Sequence, residues 1–173
     1  PRRAAPHLAA PAANWYLNCA YHPAIAELNY LIGNATLRLT SFTDFGLRVL
    51  MCMAGQPARA FTTAELAREL RVSRHHLAKV ISRLAAANLL VTRRGGGGGA
   101  MLARAPEAIR LGDVVALLEA DQALVDCFAV GGGTCTLTPH CRLRGRLAEA
   151  EAAFIADLNR GTLADCVIRL GGV

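Results

Sequence analysis

A chain of 173 residues, 53% of them hydrophobic, has material for one compact domain with appended arms. No stretch approaches the roughly eighteen uninterrupted apolar residues of a membrane-spanning helix. The net charge of +6 conceals a division: residues 38–104 carry eleven Arg/Lys against three Asp/Glu, residues 105–173 carry six against nine, and the first 37 hold the remaining +1, so one half suits a polyanion and the other does something else.

Residues 1–36 read as a leader foreign to the rest of the chain. They contain Trp15, all three tyrosines (Tyr16, Tyr21, Tyr30) and four of the seven prolines, with no sustained apolar period. His7, Pro11, Asn14 and Asn18 interrupt the apolar core that a signal peptide requires. Leu17-Asn18-Cys19-Ala20 resembles a lipoprotein box only without its apolar run. The expectation is a disordered arm or upstream sequence translated from a misassigned start.

From Ser41 the texture changes. Ser41-Phe42-Thr43-Asp44 places a hydroxyl three residues before an acid, the capping-box spacing. Phe45, Leu47, Val49, Leu50, Met51 and Met53 then continue a helix to about Gly55, where Gln56-Pro57 breaks it. A short helix comes next, capped by Thr62 or Thr63, with Leu66, Ala67 and Leu70 inward. After the break Arg71-Val72-Ser73, a basic helix spans Arg74 to Asn88 with Leu77, Val80, Ile81 and Leu84 at helical spacing. Short helix, tight turn and basic helix make a helix-turn-helix, whose second helix lies in the major groove. An ordinary helical hairpin with a solvated basic face is the plainer alternative, and the charge division speaks against it.

Leu89 to Thr92 and Ala100 to Ala103 are short apolar runs joined by Arg93, Arg94 and five glycines, a β-hairpin in the position of a wing. Arg93 and Arg94 at its shoulder suit phosphates or a minor groove. The glycines do not form a nucleotide-binding loop, because Ala-Met-Leu stands where a Lys-Ser/Thr or a helix would be needed. A core helix begins near Gly112-Asp113.

Cys127, Cys135 and Cys141 come next, spaced C-x7-C-x5-C among three glycines, three threonines and a proline. That composition is a loop's. With no secretion signal evident, clustered thiols read as metal ligands or redox groups rather than disulfides, and soft thiolates select iron–sulfur clusters, zinc or copper(I). Zinc would accept these thiolates plus a carboxylate or imidazole. A thiol or metal enzyme lacks a Cys-x-x-Cys pair and a base beside a nucleophile. Arg142 to Asn159 is a long amphipathic helix with Leu143, Leu147, Ala150, Phe154 and Leu158 on one stripe, suited to the same helix of a second copy or to its own domain. Thr162 to Val167 forms a short capped helix. The expected architecture is mainly α: a leader (1–36), a winged helix-turn-helix DNA-binding region (37–104), and a cysteine-loop sensor with a long C-terminal dimerisation helix (105–173).

Residues 37–169 resemble the family of winged-helix iron–sulfur transcriptional regulators that includes NsrR and IscR, most of all its nitric-oxide-sensitive, NsrR-like repressors. The resemblance lies in Leu39 to Arg48, Val72 to Val80, the glycine-rich wing, Ile109 to Val115, the Cys-Thr-Leu-Thr-Pro-His-Cys-Arg-Leu run from Cys135, and Thr162 to Asp165. Family members usually begin with Met at the position of Leu37, and a Leu codon can serve as a bacterial start. The resemblance implies Cys127, Cys135 and Cys141 as ligands of a 4Fe-4S rather than a 2Fe-2S cluster, with Asp44 of the partner subunit as the fourth. It also implies DNA contacts by Ser73, Arg74, His75, His76, Lys79, Arg83, Arg93 and Arg94. Two departures stand out. The first gap is x7 where the family commonly has x4 or x5, and Gly131-Gly132-Gly133 would absorb the excess. Arg144 occupies the position where IscR-like members carry a ligand His, and His140 reads as a loop residue. The implied protein is a cytoplasmic, homodimeric, non-enzymatic repressor of double-stranded operators with nitric oxide as effector. The alternative is an IscR-like regulator of cluster assembly or iron homeostasis.

Overall fold

The computed structural model describes residues 38–93, 95, 98–137 and 140–167. The leader, Leu37 and Arg94 lie outside them. Helix α1 (Ser41–Ala54) starts one residue earlier than its capping-box spacing predicts. Its cap is Thr40, whose Oγ1 accepts from the Thr43 N–H at 3.2 Å, so Ser41 is already helical. Helix α2 (Thr63–Leu70) is capped by Thr62, and Arg71 ends it in the left-handed region at φ 53°. Ser73 then caps α3 (Arg74–Ala86) by accepting from the His76 N–H at 3.2 Å. The turn is thus built from one left-handed residue and one new cap, and it leaves no room for a longer loop.

Strands β1 (Leu90–Arg93) and β2 (Gly99–Leu102) pair antiparallel from Leu90 opposite Leu102 to Arg93 opposite Gly99, one residue beyond the expected span of the first strand. Phe61 adds a bridge to Ala100 on the other edge of β2, which the sequence pattern did not reveal. Gly99 permits it: a Cβ there would stand 2.6 Å from the Phe61 carbonyl oxygen. Helix α4 (Leu111–Glu119) runs back across α1, and α5 (Arg142–Leu158) packs on α4. The chain ends its described part in a 3-10 turn, Leu163–Cys166, closed by the expected Thr162–Asp165 cap.

One apolar core unites these elements. Leu50 and Met53 of α1, Leu66 of α2, Leu77 and Leu84 of α3, Phe61, Ile109 and Leu163 are all fully buried in it. Helix α5 lies outside this core, with none of its residues fully buried. Its docking on α4 depends on Gly112, where a Cβ would run into the Ile155 carbonyl oxygen, and on Asn159. The Asn159 amide accepts from the Asp113 N–H at 3.0 Å and donates to its carboxylate at 2.8 Å.

Candidate nucleic-acid interface and cysteine loop

Helix α3 divides cleanly. Leu77, Val80, Ile81 and Leu84 face the core, so the 3.6-residue period leaves Arg74, His75, His76, Lys79 and Ser82 in solvent. None of the ion pairs among the described residues involves Arg74 or Lys79. With no acid in its first turn, the helix offers an uncompensated positive end, to which its dipole adds. Ser73 remains exposed at that end although its oxygen serves as cap. Arg93 is exposed on the wing. Such a surface can meet phosphates along a groove while its first turn approaches base edges.

Arg83 differs from the other predicted contacts. It is half-buried, donates from Nη2 to the Leu117 carbonyl at 3.3 Å, and pairs with Asp121 at 3.2 Å. Its guanidinium therefore ties the last turn of α3 to the end of α4. The same end of α4 holds α1: Glu119 Oε1 accepts from the Thr40 N–H at 2.7 Å and from its hydroxyl at 3.0 Å. Sequence reasoning missed this junction, because its partners lie 79 and 34 residues apart and no local pattern marks them.

The cysteine segment leaves from this junction. Cys127 is buried in a 3-10 turn, Asp126–Phe128; Cys135 and Cys141 are half-buried, Cys141 at the cap position of α5. Gly131, Gly132 and Gly133 all have positive φ, at 90°, 89° and 62°. Among the described residues no three His, Cys, Asp or Glu side chains stand close enough together to hold a metal ion. His140 is exposed, and its backbone N–H donates to the Leu137 carbonyl at 3.2 Å. Asp44, in the first turn of α1, is partly exposed and gripped by Arg48 through two contacts of 2.9 and 2.7 Å. Cys52 belongs to the α1 core, and burial, with the Glu69 charge adding, pushes its thiol up to about 11. It stays protonated and inert at neutral pH.

Comparison with known proteins gives the same outline. The family model described as Rrf2, iron-dependent transcriptional regulator, matches residues 39–169. A protein of Shouchella clausii (strain KSM-K16) named HTH-type transcriptional regulator NsrR is 40% identical over 133 residues, covering 76% of this chain and 89% of that protein. Among solved structures, T. potens IscR superposes with a TM-score of 0.58 at 22% identity, over 75% of this chain and 85% of that one. CymR, the global cysteine regulator of B. subtilis, superposes at 0.57 and 23% identity, over 75% and 95%. These two similarities carry the fold.

Proposed function

This chain belongs to the Rrf2 family of DNA-binding transcriptional regulators, and we propose that it is a cytoplasmic, homodimeric repressor that senses nitric oxide through an iron–sulfur cluster. The observation that carries the reading is the position of the cysteine segment. It begins at the end of α4, where Glu119 holds the cap of α1 and Arg83 holds the foot of the DNA-reading helix. The name borne by the Shouchella clausii relative supplies the effector.

The chemistry of the donor set suits such a group, and the loop would have to close to bring the three thiols to one centre. Cys127, Cys135 and Cys141 are soft ligands on one glycine-rich segment, and Asp44 of the partner subunit is a harder, exchangeable fourth. When bound, the cluster supplies iron with an affinity for nitric oxide. The three thiolates would hold it, and with it the loop, in one arrangement. Asp44 already accepts from Arg48, so it exchanges one set of partners for another without leaving a bare charge. A loop that shifts pulls on Asp121 and Glu119, and through them on α3 and α1. Ser73, Arg74, His75, His76 and Lys79, with Arg93 and Arg94 of the wing, meet operator DNA; Arg83 serves the junction. A coupling on the order of 1–3 kcal/mol suffices to release DNA. The family model and the NsrR relative are both transcriptional regulators, which supports reading the chain as a binding protein and not an enzyme.

Anaerobic purification followed by an absorption spectrum, iron and sulfide analysis and operator-shift assays tests this. A brown protein that bleaches and releases DNA on nitric oxide is the expected result. Release on iron limitation alone would favour an iron-homeostasis role instead. A colourless protein after anaerobic reconstitution would overturn the cluster reading.

A further inference from the structure

We infer that Asp126 is a positioning residue for the cluster, the group that lets a loop with so long a first gap present Cys127 and Cys135 to one centre. The inference rests on the cluster reading above. Asp126 Oδ2 accepts from the Thr134 N–H at 2.7 Å and from the Thr134 hydroxyl at 3.3 Å. Asp126 immediately precedes Cys127, and Thr134 immediately precedes Cys135. One carboxylate therefore joins the two residues from which the first two thiols spring.

The chain between them is looped out. The Ala129 N–H donates to the Asp126 carbonyl at 3.0 Å and the Gly132 N–H to the Ala129 carbonyl at 2.8 Å, which turns the chain back. Val130 is fully exposed, and a Cβ on Gly131 or Gly132 would meet nothing. Gly133 is different: at φ 62° it passes so close that a Cβ would run into the Asp126 carbonyl oxygen. The Asp126–Thr134 clamp, and not the length of the loop, thus fixes how far apart the backbone stands at the two residues that precede Cys127 and Cys135. A second tie reaches toward Cys141, where the Arg144 guanidinium lies 5.8 Å from the centre of the Phe128 ring. Groups that orient metal ligands without touching the metal contribute about 10- to 100-fold to its retention.

The test uses the full chain, reconstituted anaerobically with ferrous iron and sulfide. Iron and sulfide per chain are measured, then the rate at which the visible band fades in a ferrous chelator. Asp126→Ala and Gly133→Ala are expected to lose the cluster about 10- to 100-fold faster than wild type. Asp126→Asn, whose amide oxygen still accepts from the Thr134 N–H, is expected to fall between, and Val130→Ala to match wild type. Circular dichroism of the apo proteins checks folding, and the isosteric Asp126→Asn carries the comparison should Asp126→Ala lose its helical signal. Wild-type rates in folded variants of a protein that does hold a cluster would overturn the positioning role alone. A wild-type chain that takes up no iron would overturn the cluster reading, and this inference with it.

Discussion

Single residues on α3 take their roles from which side of one helix they occupy. Lys79 and Arg83 are four apart and both basic, yet one is exposed and the other is held by Leu117 and Asp121. Their substitutions should separate accordingly. Lys79→Ala should weaken DNA binding about equally for all sequences and reduce the slope of log affinity against log salt by about 1, as loss of one phosphate contact does. Fluorescence anisotropy across a salt series measures this. An unchanged slope would remove Lys79 from the interface. Arg83→Ala should leave that slope alone and lower the melting temperature. A sequence shows Arg83 only as another cation on a basic helix. Its assignment needs the position of α4, which no local pattern encodes.

At the scale of elements, α1, α2 and α3 were legible because each joins an apolar period to a hydroxyl cap. Helices α4 and α5, which follow Arg110 and Cys141 with no side-chain cap, were legible from the apolar period alone. The caps themselves were legible to within one residue, since Thr40 and Ser41 are equivalent as sequence. Thr40 wins because its backbone N–H and hydroxyl also find Glu119. What could not be read were pairings across the chain: the Phe61 bridge to the wing, the Glu119 junction, and Asn159 on the start of α4. The cysteine spacing was legible, while the Asp126 clamp that compensates for it was not, because nothing local marks an Asp and a Thr eight residues apart as partners. Two features of element packing can be tested. Gly112→Ala should destabilise the fold by about 1–3 kcal/mol, because the new methyl cannot fit without moving α5 off α4. Chemical denaturation measures it, and a wild-type midpoint would mean that α5 does not dock there. The Thr162–Asp165 cap makes an acid-sensitive joint. Hydrogen bonds from the Thr162 backbone, then its hydroxyl, lower the Asp165 pKa in the folded state. A depressed folded-state pKa contributes stability that is fully present above the unfolded value and is lost as pH falls through the folded one. Asp165→Asn should therefore flatten the acid limb of melting temperature against pH and leave the neutral region's pH dependence unchanged. An identical acid limb would show that the cap contributes nothing.

For the whole molecule the telling fact is that the longest described helix has no fully buried residue. Helix α5 has seventeen residues, and Leu143, at 63% exposure, heads a stripe continued by Leu147, Ala150, Phe154 and Leu158. Gly112 and Asn159 anchor only the far end on α4. On the proposed homodimer reading, a second copy would meet two needs at once. It would cover the stripe, and it would bring two α3 helices to the two halves of a palindromic site. Leu143→Glu would place a charge in the stripe where the single chain has open solvent, so the fold of one chain should survive within about 0.5 kcal/mol. Sedimentation should nonetheless show a monomer, and operator affinity should fall by about 100-fold or more, because the two half-site contacts are no longer linked. If Leu143→Glu remains a dimer with wild-type affinity, the stripe is not the interface and the pairing of reading heads must come from another face. If wild type is itself monomeric on DNA, the two-fold reading fails, and the exposed stripe requires a different partner.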